Sequence, residues 1–177
     1  MLDQLLSLKI PPDLIIIAIA ALPIAELRVA IPVGIYTFDM AWYRAFFISI
    51  IGNTLPVPVL LLFFDSLAKI ISRVKPGKKL MDWVFTRTRR HEKSILKYEW
   101  LGLALFVGVP LPFTGAWTGS ILSFIMGLKF FPSLLSIFCG VIMAGIIVTV
   151  LSLLGWIGAG IAALALTIML IIGWWRL

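Results

Sequence analysis

The chain has 177 residues, 62% of them hydrophobic and 13% charged, with a mean hydropathy of +1.11 and a net charge of +7. Soluble globular chains are about 45–50% apolar, so a water-facing surface cannot accommodate this excess and lipid must be the solvent for much of the molecule. One cysteine, Cys139, excludes an intrachain disulfide, and one histidine, His91, argues against a histidine-built metal site.

In chain order, Leu14–Ala21 has the apolarity of a short secretory core, and Ala18-Ile19-Ala20 is faintly like a cleavage site. The stretch before it carries Asp3, Lys9 and Asp13 instead of a positive n-region, so it reads as mature protein. The next segment, Leu22–Gly34, packs Pro23, Glu26, Arg28, Pro32 and Gly34 into membrane depth. Ala45–Phe64 then holds no charge for 20 residues, about one membrane span.

Of the 15 basic residues, 10 fall between Lys69 and Lys97, against only Asp82 and Glu92. Between two hydrophobic blocks this cluster is a cytoplasmic loop by the positive-inside rule, not a nucleic-acid surface. Residues 75–98 have apolar side chains near helical spacing among the basic ones, the pattern of a helix lying on headgroups. Lys78, Lys79, Arg87, Arg89 and Arg90 are its expected lipid-headgroup contacts; a solvated loop is the alternative.

Trp100–Leu128 is uncharged for 29 residues but contains Gly108, Pro110, Pro112, Thr114, Gly115 and Gly119 close together. Phe130–Trp175 is uncharged for 46, enough for two spans with a turn near Gly155–Gly160. Proline removes a backbone donor and glycine weakens a helix interior. A straight lipid-facing helix at either Pro/Gly-rich segment would leave backbone groups unpaired in hydrocarbon. Broken or re-entrant helices resolve this; two kinked continuous spans are the alternative.

The two segments read as repeats. Pro23–Arg28 can be laid on Pro112–Trp117, and Gly52–Pro56 then falls near Gly140–Ala144. The expected fold is an all-α integral membrane domain over 1–177. Repeat 1 covers about 14–66, a basic cytoplasmic linker helix 69–98, repeat 2 100–155, and a C-terminal transmembrane helix 157–175. One odd span between the halves inverts the second repeat, so that both broken tips meet near the midplane of a multi-pass cell-membrane protein.

Glu26 and Arg28 carry the most chemical weight, because ionisable groups at membrane depth cost roughly 2.5–3.5 kcal/mol each and usually face the protein interior. Two residues apart on a regular helix they would point away from each other, but in a broken segment both can face one cavity. Glu26 can exchange a proton, and Arg28 can offer paired donors to a phosphate or carboxylate; a structural ion pair is the alternative. Pro112, Thr114, Gly115, Trp117, Thr118 and Gly119 offer backbone amides at a half-helix start and hydroxyls at Thr114 and Thr118, or simply tight packing. Asn53, before Pro56, either bonds to freed backbone or lines the path. Asp39 and Arg44 read as interfacial, Asp65 and Lys69 as the end of a span, and Cys139 as buried packing. No phosphate loop, nucleophile elbow, metal motif or catalytic triad is present, so neither an enzyme activity nor a cofactor is expected.

Glu26-Leu27-Arg28-Val29-Ala30-Ile31-Pro32-Val33-Gly34 and Pro112-Phe113-Thr114-Gly115-Ala116-Trp117-Thr118-Gly119 together resemble the small multidrug export protein family, over about residues 15–160. That resemblance implies kinship with the DedA superfamily, described as having two opposed re-entrant segments and implicated in proton-linked movement of lipids, including a polyprenyl phosphate carrier. The implied roles fall on Glu26 and Arg28. The second motif lacks a tip arginine, having Ala116 and Trp117 there instead. The expectation is a proton-linked translocase of an anionic lipid or lipid phosphate, acting as a homodimer. The alternatives are an exporter of small hydrophobic or cationic compounds and a membrane scaffold.

Overall fold

The computed structural model describes residues 10–71, 96–111 and 114–175. They form helices and turns, with no strand among them. In chain order the helices are α1 (Pro12–Ala21), α2 (Glu26–Tyr36), α3 (Trp42–Thr54), α4 (Pro56–Ile71), α5 (Leu96–Gly108), α6 (Ala116–Ile125), α7 (Phe130–Leu153) and α8 (Trp156–Trp175). Pro112 and the basic linker, with Lys78, Lys79, Arg87, Arg89 and Arg90, lie outside the described residues.

Proline sets the first helix boundaries. α1 opens on Pro12, whose missing N–H a helix start would leave unpaired anyway. It closes at Leu22, extended at ψ 140° because Pro23 disfavours a helical predecessor. After a short turn, α2 runs back along α1, and the two pack as a hairpin. α5 and α6 form a second hairpin, joined by residues 109–115.

The breaks are narrower than the sequence led us to expect. Pro32 and Gly34 lie inside α2, and Gly119 lies inside α6. Pro32 forfeits only the bond to the Arg28 carbonyl. Gly34 permits close approach of α3, since a Cβ there would sit 2.9 Å from that of Ala45. The C-terminal turn falls at Gly155 (φ 58°), while Gly160 lies within α8.

Among the described residues two stretches are long and apolar enough to cross a membrane: Trp42–Phe64, of 23 residues, and Phe130–Leu153, of 24. The first comprises α3 and the start of α4, interrupted at Leu55 before Pro56. α3 packs on the first hairpin, α4 on α6 of the second, and both touch α7. α7 is the central post, in contact with α2, α3, α4, α5, α6 and α8. Its buried face is built from small residues, including Ser133, Ser136, Gly140, Ala144 and Gly145, which let neighbouring backbones come close.

The burial pattern is that of a protein in lipid. Glu26, Ser49, Asn53, Ser120, Ser123, Ser133 and Ser136 are buried, while Phe47, Val59, Phe131, Leu135, Trp156 and Ile157 are exposed. Cys139 is also exposed, not buried as its composition class suggested. Its neighbour Gly140 takes the contact with α5, and one residue along a helix turns the next side chain about 100° away.

The order helix, break, helix, long helix occurs twice. The long helices meet the first arm of each hairpin through matched glycines. A Cβ at Gly52 would lie 2.6 Å from the Ile17 carbonyl oxygen and 2.8 Å from the Ala20 Cβ; one at Gly140 would lie 2.7 Å from the Ala104 carbonyl oxygen and 2.6 Å from the Val107 Cβ. Gly52→Leu or Gly140→Leu should therefore destabilise by about 1–3 kcal/mol or more, the usual cost of overpacking. Gly102→Leu, where a Cβ would meet nothing within 4 Å, should be near neutral. Thermal unfolding in detergent checks the contrast.

Candidate functional site

The two hairpins touch through their tips. Trp117 Nε1 donates to the Ala21 carbonyl at 3.1 Å, and Arg28 Nη2 donates to Thr114 Oγ1 at 3.3 Å. No extensive contact joins the arms of one hairpin to those of the other among the described residues. Glu26, Arg28, Thr114, Gly115 and Trp117 thus come together from opposite halves of the chain.

Glu26 is the pivot of this joint. It is 4% exposed and takes the left-handed backbone conformation, φ 47°, uncommon for a residue with a side chain. That turn brings its carboxylate and the Arg28 guanidinium to 3.5 Å, where an uninterrupted helix would hold them apart. The carboxylate also receives the backbone N–H groups of Ala116 and Trp117 at the start of α6. Among the described residues α6 has no capping side chain of its own. An acid from the other hairpin supplies the cap, where the helix dipole favours negative charge.

Gly115 makes this possible in two ways. Its φ of 143° lies in a region essentially confined to glycine, and a Cβ there would overlap the Glu26 carboxylate. Thr114 fixes the turn that precedes it. Its hydroxyl lies 2.6 Å from the Val109 carbonyl and 2.8 Å from the Leu111 carbonyl, sharing one proton between them, and it accepts from the Leu111 N–H at 3.1 Å.

From Arg28 an apolar groove of about 330 Å³ runs outward along one face of α2. Pro32 and Tyr36 continue that face, Pro110 flanks it, and the α7–α8 turn forms the far wall. Tyr36 closes the outer end by donating its hydroxyl proton to the Ser152 carbonyl.

The remaining expected residues do other work. Thr118 donates to the Gly115 carbonyl within its own turn, at 3.3 Å. Gly119 is a packing position against Val107. Asn53 is 1% exposed, and its Oδ1 has no hydrogen-bond partner among the described residues. Counting equally from the Gly34–Ala45 contact, back along α2 to Glu26 and forward along α3 to Asn53, puts the two level. Arg44 is exposed and pairs with Asp13 at 2.7 Å, consistent with an interfacial place. Tyr36, Ser152 and the Ala21 carbonyl were not singled out by the sequence reading. Only Tyr36 left a signal there, its i, i+4, i+8 spacing with Arg28 and Pro32.

Gly115→Ala should destabilise the protein by about 2 kcal/mol or more, through backbone strain and the clash with Glu26. The same substitution in a Glu26→Gly background should cost less, because only the strain remains. A double-mutant cycle in thermal unfolding measures that coupling.

No curated protein and no solved structure matches the chain. A family model described as "Putative small multi-drug export protein" matches residues 26–147. The match begins at Glu26, so it takes in Glu26, Arg28, Thr114, Gly115 and Trp117 of the joint just described, but not Ala21. Together with the two long apolar helices it points to a membrane location. On that match, which covers most of its length, the chain belongs to the small multi-drug export protein family.

Proposed function

We propose that the protein translocates an anionic amphiphile, holding the headgroup at Arg28 and the apolar tail along α2, with Glu26 as the proton-responsive group. The single observation that carries this reading is an apolar groove whose inner end is a guanidinium. A ligand filling it needs one negative end and one greasy end. The family description supports export, and a lipid or lipid-phosphate substrate is the finer reading.

The arrangement we infer in the membrane is an inverted repeat with two re-entrant hairpins. Their arms have 10, 11, 13 and 10 residues. At about 1.5 Å per residue each arm is roughly 15–20 Å long. That is about half of a hydrocarbon core near 30 Å thick. Tips that meet while their arms stay apart fit hairpins coming from opposite faces. The matched contacts at Gly52 and Gly140 fit a repeat. The basic linker is then cytoplasmic. Two full-length spans are too few to enclose a path, so the assembly proposed is a homodimer.

Export of a small hydrophobic cation is the second reading, favoured by the family's name. A cation would need a carboxylate at its disposal, and Glu26 is already engaged by Arg28, Ala116 and Trp117.

Purified protein in vesicles should move a fluorescent lyso-phosphatidate faster than a cationic dye. Arg28→Gln should reduce that movement by tenfold or more, and Arg28→Lys should not restore it, since a point charge does not reproduce the planar fork. Protein-dependent dye movement that is indifferent to Arg28 would reverse the order of the two readings.

A further inference from the structure

At the inner end of the groove, the charged and backbone donors that could hold the headgroup of an incoming anion are already occupied by one, and that anion belongs to the chain. The Arg28 guanidinium lies 3.5 Å from Glu26 Oε2, and the Ala116 and Trp117 amides point at the same carboxylate. The groove that would deliver a ligand also ends on Arg28. We propose that Glu26 is a built-in competitor seated in the anion site, so that an external anion binds only when Glu26 takes up a proton or swings out, coupling one proton to each anion bound. This rests on the reading of Arg28 as the headgroup site and adds the condition for its use.

Three features favour a seat that is vacated in use over a permanent structural pair. First, the acid sits on left-handed backbone as the first residue of α2, directly after the turn from α1, and not in the interior of a helix that would fix it. Such strain persists only where surroundings hold it, and it is released if the side chain leaves. Second, Arg28 keeps a further donor contact, to Thr114 at 3.3 Å, and remains open to the groove on its other side. Third, two negative groups cannot share this seat. Like charges at contact repel strongly where water is scarce, while a protonated carboxyl presents no charge to the newcomer.

Among the described residues, Glu26 is the carboxylate paired with Arg28. Among the described residues Arg28 is the only charged side chain shown facing it. α6 and α7 carry no charged residue, and the charges of α1 and α3, Asp13 and Arg44, are paired with each other. Binding should therefore strengthen as pH falls, because acid removes the competitor.

Octyl sulfate is the probe, since its own charge is constant between pH 5 and 8. Its affinity for protein in nanodiscs should rise at least tenfold in wild type from pH 8 to pH 5. Glu26→Gln should bind at pH 8 as tightly as wild type does at pH 5, with no pH dependence left. Glu26→Gly, which suits the left-handed backbone and empties the seat, should behave likewise. Binding that requires Arg28 yet ignores pH in wild type, or that weakens in both Glu26 variants, overturns the competition while leaving the headgroup site intact. No binding to folded wild type at either pH, and none to the variants, overturns the headgroup site itself.

Discussion

The contact between the Glu26 carboxylate and the first turn of α6 joins the tips of the two hairpins, whose arms otherwise stay apart among the described residues. Each half has its own packing, hairpin against long helix. The tips meet at a polar joint. What joins them is a charge, a pair of backbone amides and a glycine without a side chain in the way. Such a joint is strong in the absence of water and specific in geometry. It is also the only kind of joint that a proton can undo, since apolar packing does not titrate.

The rest of the fold can be read as the means of keeping water and lipid from that joint. α7 stands beside it and supplies a face of small residues. Its serines do not reach across to other helices. Ser133 and Ser136 return their protons to carbonyls four residues back in their own turn, at 2.9 and 2.7 Å. A hydroxyl satisfied within its own helix is neutral toward its neighbours, so helices can pack closely on this face; the bond that α7 does accept from α2, that of Tyr36, goes to the Ser152 carbonyl. Around this interior the exposed side chains of the described helices are largely apolar, the reverse of a water-soluble domain.

Much of this was legible in the residues. Charge-free runs gave the long helices, because a bilayer admits few alternatives to a run of about 20 apolar residues. Proline and glycine gave the two breaks, and Glu26 and Arg28 pointed to the joint between the hairpins, because buried charge is costly enough to be held in place. The extent of the breaks was not legible. Pro32 and Gly34 look like breakers in isolation, but a helix shielded by neighbours tolerates one lost bond, and Gly34 proves to be a contact with Ala45. Nor was the partner of Glu26. Sequence spacing speaks of neighbours along one helix, whereas the amides of Ala116 and Trp117 arrive from the other hairpin. Cys139 failed for a related reason: which side of a uniformly apolar helix faces inward is set by the small residues beside it, here Gly140.

The interruption at Leu55 has a mechanical meaning. The span from Trp42 to Phe64 is one rod in length but belongs to two bodies, its first part fastened to the first hairpin and its second part to α6. Pro56 has no N–H, so the Gly52 carbonyl is without its helical partner at rest. Bending there sacrifices no bond that the straight rod possessed. If the tips part, the compliance is already placed where the rod changes allegiance, and each hairpin can carry its own length of helix as a rigid spoke about that single axle.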